Sequence, residues 1–95
     1  VSSHELGQLR AEIDDLDEQI IKLLGQRFIA TGKVGVIKAA QSLEAIDPAR
    51  EAAQAQRYSA LAERYGVDVD LTQRLFRGVI DEVVANHRVI RENAS

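Results

Sequence analysis

The sequence predicts an all-α fold of three helices, one very long and two of medium length. Three observations carry that expectation. From Leu6 the apolar positions Leu9, Ile13, Leu16, Ile20 and Leu23 recur in steps of three and four, continuing through Arg27, Ala30, Val34 and Ile37; this is a helical seam, with no strand-like alternation. Asp47-Pro48 is a helix start, with Asp as N-cap and Pro at the first helical position. A second apolar face, Leu75, Phe76, Val79, Ile80, Val83, Val84, His87 and Ile90, keeps helical spacing to the end of the chain.

The first helix is expected from about Ser3 to Gln41, because nothing in that stretch stops it firmly. Gly25, Gly32 and Gly35 each cost about 1 kcal/mol relative to Ala, but the periodicity runs through them; a break between Gly32 and Gly35 is the alternative. Ile21, Leu24 and Phe28 widen the stripe into a face able to meet more than one neighbour. The second helix runs from the Asp47-Pro48 cap to Gly66, a C′ glycine after Tyr65. It is rich in Ala and weakly amphipathic. The third is expected to open at Asp70, with Gln73 at capping-box distance.

Length then becomes informative. A helix of thirty-odd residues spans on the order of 50 Å, whereas a compact chain of 95 residues has a radius of gyration of about 12–13 Å. The first helix must overhang its own fold with an apolar seam on show, and the simplest cover is a second copy of the chain. The expected assembly is a homodimeric helical bundle with the long helices antiparallel or crossed.

Composition removes several function classes. The chain contains no Cys, Met or Trp, which excludes disulfides and thiolate metal sites and fits a reducing, cytoplasmic setting. Its formal net charge of −3 argues against a nucleic-acid surface. The N-terminus is polar and acidic, unlike a signal peptide, and no apolar run is long enough for a membrane span. Neither a repeat nor a linker divides residues 1–95, so they read as a single domain. With histidine only at positions 4 and 87, no nucleophile triad, metal cluster or Gly-rich phosphate loop emerges. An enzyme built from this chain would work by positioning and electrostatics.

Where the seams break, they suggest a site. Arg27 lies on the first seam and His87 on the third helix's apolar face, and two donors turned inward suggest a polar cavity within a bundle. Singly, Arg27 reads as a snorkelling side chain and His87 as a core histidine. Lys38 is eleven residues past Arg27, about 16 Å along the helix on roughly the same side. Arg50 sits in the first turn of the second helix, where free N–H groups favour an anion. Arg10 is about 25 Å before Arg27 on the same rod and can share a small-molecule site with it only across a dimer. Each cation alone is also compatible with ordinary surface charge, Arg10 having Asp14 as an i,i+4 partner.

The stretches LRAEIDDLDEQIIKLLGQR, VGVIK and DPARE together resemble the all-helical chorismate mutases of the shikimate pathway, from about Leu6 to Ile90. The combination L-R-x-x-I-D-x-L-D, R, G-x-x-K and D-x-x-R-E is specific, although each piece is weak by itself. The resemblance implies an intertwined dimer that rearranges chorismate to prephenate in aromatic amino acid biosynthesis, without cofactor. It implies Arg10 reaching across the dimer to one substrate carboxylate and Arg27 holding a carboxylate within its own chain. Lys38 would donate to the ether oxygen, Asp47 and Glu51 would meet the ring hydroxyl, and Arg50 would support the carboxylate side.

Two positions depart from that pattern. His87 stands where the best-known members carry Gln as a second donor to the ether oxygen, and Val83 where they carry Ser. The catalytic set implied is therefore Lys38, His87 and Arg27, with Arg10, Asp47, Arg50, Glu51 and Val83 completing the binding surface. Isochorismate–pyruvate lyase and 4-amino-4-deoxychorismate mutase share the scaffold and remain alternatives, as does a non-catalytic helical dimerisation or regulatory module. The pair Asp47 and Glu51 suits a substrate with its polar group on the fourth ring carbon, which favours the mutase reading over the lyase.

Overall fold

A computed structural model describes residues 2–94. It contains three helices and, among the described residues, no strand: α1 (Ser3–Ala40), α2 (Pro48–Tyr65) and α3 (Val69–Ala94). The all-α expectation holds, and α1 passes helically through Gly32 and Gly35. No helix is long and apolar enough to cross a membrane among the described residues. The chain divides into two compact units, one through Thr31 and one from Gly32 onward.

The N-terminal unit is a stretch of α1. Ser2 caps it, its hydroxyl accepting from the Glu5 amide at 3.1 Å and its carbonyl from the Leu6 amide. This satisfies donors that a helix start leaves open. The seam side chains Leu6, Leu9, Ile13, Leu16, Ile20 and Leu23 are all exposed, between 43% and 62%. Among the described residues here only Leu24, Arg27, Phe28 and Thr31 are half-buried, and the Thr31 hydroxyl donates back to the Phe28 carbonyl at 3.2 Å.

The second unit has an interior. Tyr58 of α2 stacks on Phe76 of α3 with centroids 4.1 Å apart and planes inclined by 19°. Tyr58 and Ala62 are buried on α2, His87 on α3 and Gly35 on α1. The Gln73 amide of α3 adds a polar tie, donating to the Ala55 carbonyl at 2.7 Å and the Ser59 hydroxyl at 2.9 Å.

Turn chemistry fixes the helix ends. After Ala40 the chain closes with the Leu43 amide on the Lys38 carbonyl (2.8 Å) and the Ser42 amide on that of Ala39 (3.2 Å). This Schellman arrangement requires a left-handed residue, and Ser42 supplies it at φ 55°. Asp47 then caps α2 with its Oδ1 on the Arg50 amide at 3.1 Å, and Pro48 is the first helical residue. At the far end Gly66 is the left-handed cap, at φ 71°, as its position after Tyr65 suggests.

The start of α3 corrects the sequence expectation. The helix opens at Val69, capped by Asp68, whose Oδ2 accepts from the Leu71 amide at 2.9 Å. Asp70 is thereby placed within the first turn, where its charge still favours the open N–H groups. Gln73, no longer needed for a capping box, instead helps tie α3 to α2.

Candidate active site

The 41–47 loop organises the sequence-named residues of the second unit. From the last turn of α1, the Lys38 ammonium donates to the Ala45 carbonyl at 3.3 Å. From α3, Arg91 donates to the Leu43 carbonyl at 3.2 Å and pairs with Glu44 at 3.4 Å. The loop is thus gripped from both sides, and it ends on the Asp47 cap. One bond from Lys38 leaves its remaining ammonium N–H groups for a ligand. The cap bond likewise uses Oδ1 of Asp47 and leaves Oδ2.

Glu51, one turn into α2, is held by Arg77 of α3 through Oε1 at 2.9 Å. Arg77 also grips Asp81 one turn on, at 2.7 Å. These two carboxylates raise the Arg77 pKa above the ordinary guanidinium value, the bond to Glu51 contributing most. The pair stands between two hollows. One of about 50 Å³ is lined by Glu51, Tyr58, Gln73, Phe76 and Arg77 among others. The other, of about 320 Å³, is lined by Ile46, Glu51, Arg77, Asp81, Val84, Ala85 and Arg88. Arg50 is exposed on the first turn of α2.

His87 is 5% exposed and lies against Gly35. A Cβ at Gly35 would stand 2.7 Å from Cδ2 and 3.2 Å from Nε2 of the His87 ring, and 2.9 Å from Cδ1 of Ile90. Only a residue without a side chain lets α1 come this close to the imidazole. Lys38 follows Gly35 by three residues on the same helix, so the glycine that admits His87 sits one turn before the lysine. Val83, one turn before His87 on α3, is half-buried.

In the N-terminal unit Arg10 is exposed, and Arg27 is half-buried with its Nη1 out of reach of solvent. Sequence reasoning did not name Arg77, Asp81 or Arg91 as contributors. The i,i+4 spacing of Arg77 and Asp81 is visible in the sequence, but the partnership of Glu51 with a residue 26 positions away has no local signal. Among the described residues no cluster of His, Asp and Glu could hold a metal ion.

Proteins of known name are similar to the chain. It is 36% identical over 81 residues to the T-protein of Haemophilus influenzae and 35% identical over 78 residues to that of Enterobacter agglomerans. These alignments take in 85% and 82% of this chain but 22% and 21% of the two T-proteins, so the chain spans about a fifth of their length. It is 29% identical over 77 residues to the chorismate mutase of Methanocaldococcus jannaschii, covering 81% of this chain and 78% of that protein. The model of the family described as chorismate mutase type II matches residues 9–88, and the chain belongs to that family.

Proposed function

We propose that this chain is a chorismate mutase, an isomerase that rearranges chorismate to prephenate as a homodimer with no cofactor. The observation that carries the reading is the family match over residues 9–88, which contains every residue assigned to the site, from Arg10 to His87. The exposed seam of α1 supports the dimer, since an apolar stripe of this length is costly to leave in water.

The reaction moves electrons within one molecule: the ether C–O bond breaks as a C–C bond forms. What a protein can add is conformation and charge. Arg27 of one protomer and Arg10 of its partner clamp the two substrate carboxylates in the compact reactive shape, with Arg50 supporting the carboxylate side. Lys38, held at the loop by Ala45, meets the ether oxygen, where an ammonium helps most once negative charge has developed. His87 gives a second hydrogen bond to that oxygen, in the place of a glutamine amide. Asp47 and Glu51 accept from the ring hydroxyl, and Val83 closes one edge of the pocket by apolar contact.

The test follows the loss of chorismate absorbance, with isochorismate and 4-amino-4-deoxychorismate in parallel. Chorismate should be consumed fastest, and Lys38→Ala should lower kcat by about 10²–10³-fold, the usual loss for one transition-state donor. His87→Gln should retain turnover that His87→Ala loses. Mixing inactive Arg10→Ala and Lys38→Ala proteins should restore about a quarter of native activity, because half the dimers are mixed and each carries one intact site. No recovery on mixing would remove Arg10 from the partner's site. Consumption of isochorismate or the amino analogue in preference to chorismate would reassign the substrate, and consumption of none of the three would leave a non-catalytic module.

A further inference from the structure

Glu51 is the one residue of the proposed ring-hydroxyl contact whose charge is already answered within the chain. Its Oε1 accepts from Arg77 at 2.9 Å, and its side chain is 24% exposed against 52% for Arg77. Arg77 is fixed from the other side by Asp81, with both Nε and Nη2 on Oδ1 at 2.9 and 2.7 Å. A guanidinium held at two carboxylates has little freedom to swing away, and its own ionisation is strengthened by both. Glu51 therefore keeps Oε2 as a hydrogen-bond acceptor while the guanidinium offsets part of its negative charge.

That combination matters for what sits opposite. A ring hydroxyl needs an acceptor and gains little from net negative charge. A ring ammonium needs the charge itself, and it would also face the positive guanidinium behind the carboxylate. We propose that Arg77 is a specificity-determining residue: by pairing with Glu51 it selects substrates with a neutral hydroxyl on the fourth ring carbon over those with an amino group there. The inference rests on the mutase reading of the site. Arg77 acts through Glu51 and is a positioning residue, with no contact to the reacting atoms.

The ratio of kcat/KM for 4-amino-4-deoxychorismate to that for chorismate reads this directly, measured on the native protein, Arg77→Gln and Arg77→Lys at low and high salt. Where the amino analogue is not turned over, its inhibition constant against chorismate replaces kcat/KM. Arg77→Gln should raise the preference for the amino compound about two- to five-fold at low salt, the scale of a partly exposed ion pair. The gain should shrink at high salt, while Arg77→Lys, which keeps the charge, stays near the native ratio. A purely structural role would lower both substrates alike and show no such salt dependence. An unchanged ratio in a folded, active Arg77→Gln protein overturns the proposal and leaves the mutase reading standing. A native protein that neither turns over nor binds either compound overturns both.

Discussion

The two units of this chain use the same amphipathic helix code to opposite effect. From Gly32 onward some of the apolar face finds partners within the unit: Tyr58 stacks on Phe76, Ala62 is buried, and His87 sits against Gly35, while Ile37, Leu75 and Val89 stay exposed. Up to Thr31 an equally regular seam, Leu6 to Leu23, has no second helix of its own unit to cover it and stays about half exposed. The difference shows that periodicity specifies a face to be buried without specifying what buries it. In a stretch without an interior, helix propensity alone is marginal, and the stability of that stretch must come from contacts outside it.

Breaking the seam is the strongest way to test that contrast. Leu16, 49% exposed, should be covered in the assembled protein, so Leu16→Glu removes a buried leucine from each of two symmetric copies. At about 1.5–3 kcal/mol for a whole leucine, with about half of each left for a partner to cover, the dimer should weaken by about 1.5–3 kcal/mol. Sedimentation should then show monomers where the native chain is dimeric, with a loss of helical circular dichroism. A native chain that sediments as a monomer, or a Leu16→Glu protein that remains dimeric, would show that the seam is not the cover between copies.

How much of the fold is legible in the sequence follows the same division. The seam, the Asp47-Pro48 start and the Gly66 stop are local patterns, and each appears in the structure where the residues place it. The α3 cap falls two residues before the expected Asp70, because Asp68 and Asp70 are both competent caps and local pattern does not rank them. Long-range pairings are not legible at all. Glu51 with Arg77, Arg91 with the 41–47 loop and Gly35 with His87 join residues 26 to 52 positions apart, and only the packing of whole helices brings them together. The roles proposed for Arg10, Arg27 and Lys38 come from resemblance to a family, since alone Arg10 and Lys38 read as surface charge and Arg27 as a snorkelling side chain.

The Gly35–His87 contact sharpens the comparison within the packed unit. Gly35→Ala gains helix propensity of about 1 kcal/mol but drives a Cβ to 2.7 Å from a buried imidazole ring. Overpacking of this kind costs about 1–3 kcal/mol, and a ring shut in on α3 has less freedom to yield than the flexible Ile90 tip. A net loss of up to about 2 kcal/mol is expected, read as a lower thermal midpoint. Gly78 on α3 is the control, because a methyl group there would have nothing within 4 Å: Gly78→Ala should gain about 0.5–1 kcal/mol. In a double-mutant cycle, His87→Ala should relieve most of the Gly35→Ala penalty. Purely additive losses would mean that the ring is not what the glycine accommodates.

The smallest effect concerns the turn that ends α1. Ser42 holds φ 55°, a left-handed conformation that costs an L-residue about 1–2 kcal/mol and glycine almost nothing. Ser42→Gly relieves that strain while giving the unfolded chain more freedom, an opposing term of about 0.4–1 kcal/mol. The two leave a gain of up to about 1.5 kcal/mol, visible as a higher denaturant midpoint at unchanged slope. The two bonds that close the turn, Leu43 to Lys38 and Ser42 to Ala39, are main-chain bonds and survive the change. Lys38 should therefore keep its place, and turnover should be unaltered. A loss of turnover together with the gain in stability would show that the serine side chain, and not the turn geometry alone, sets where the 41–47 loop holds the lysine.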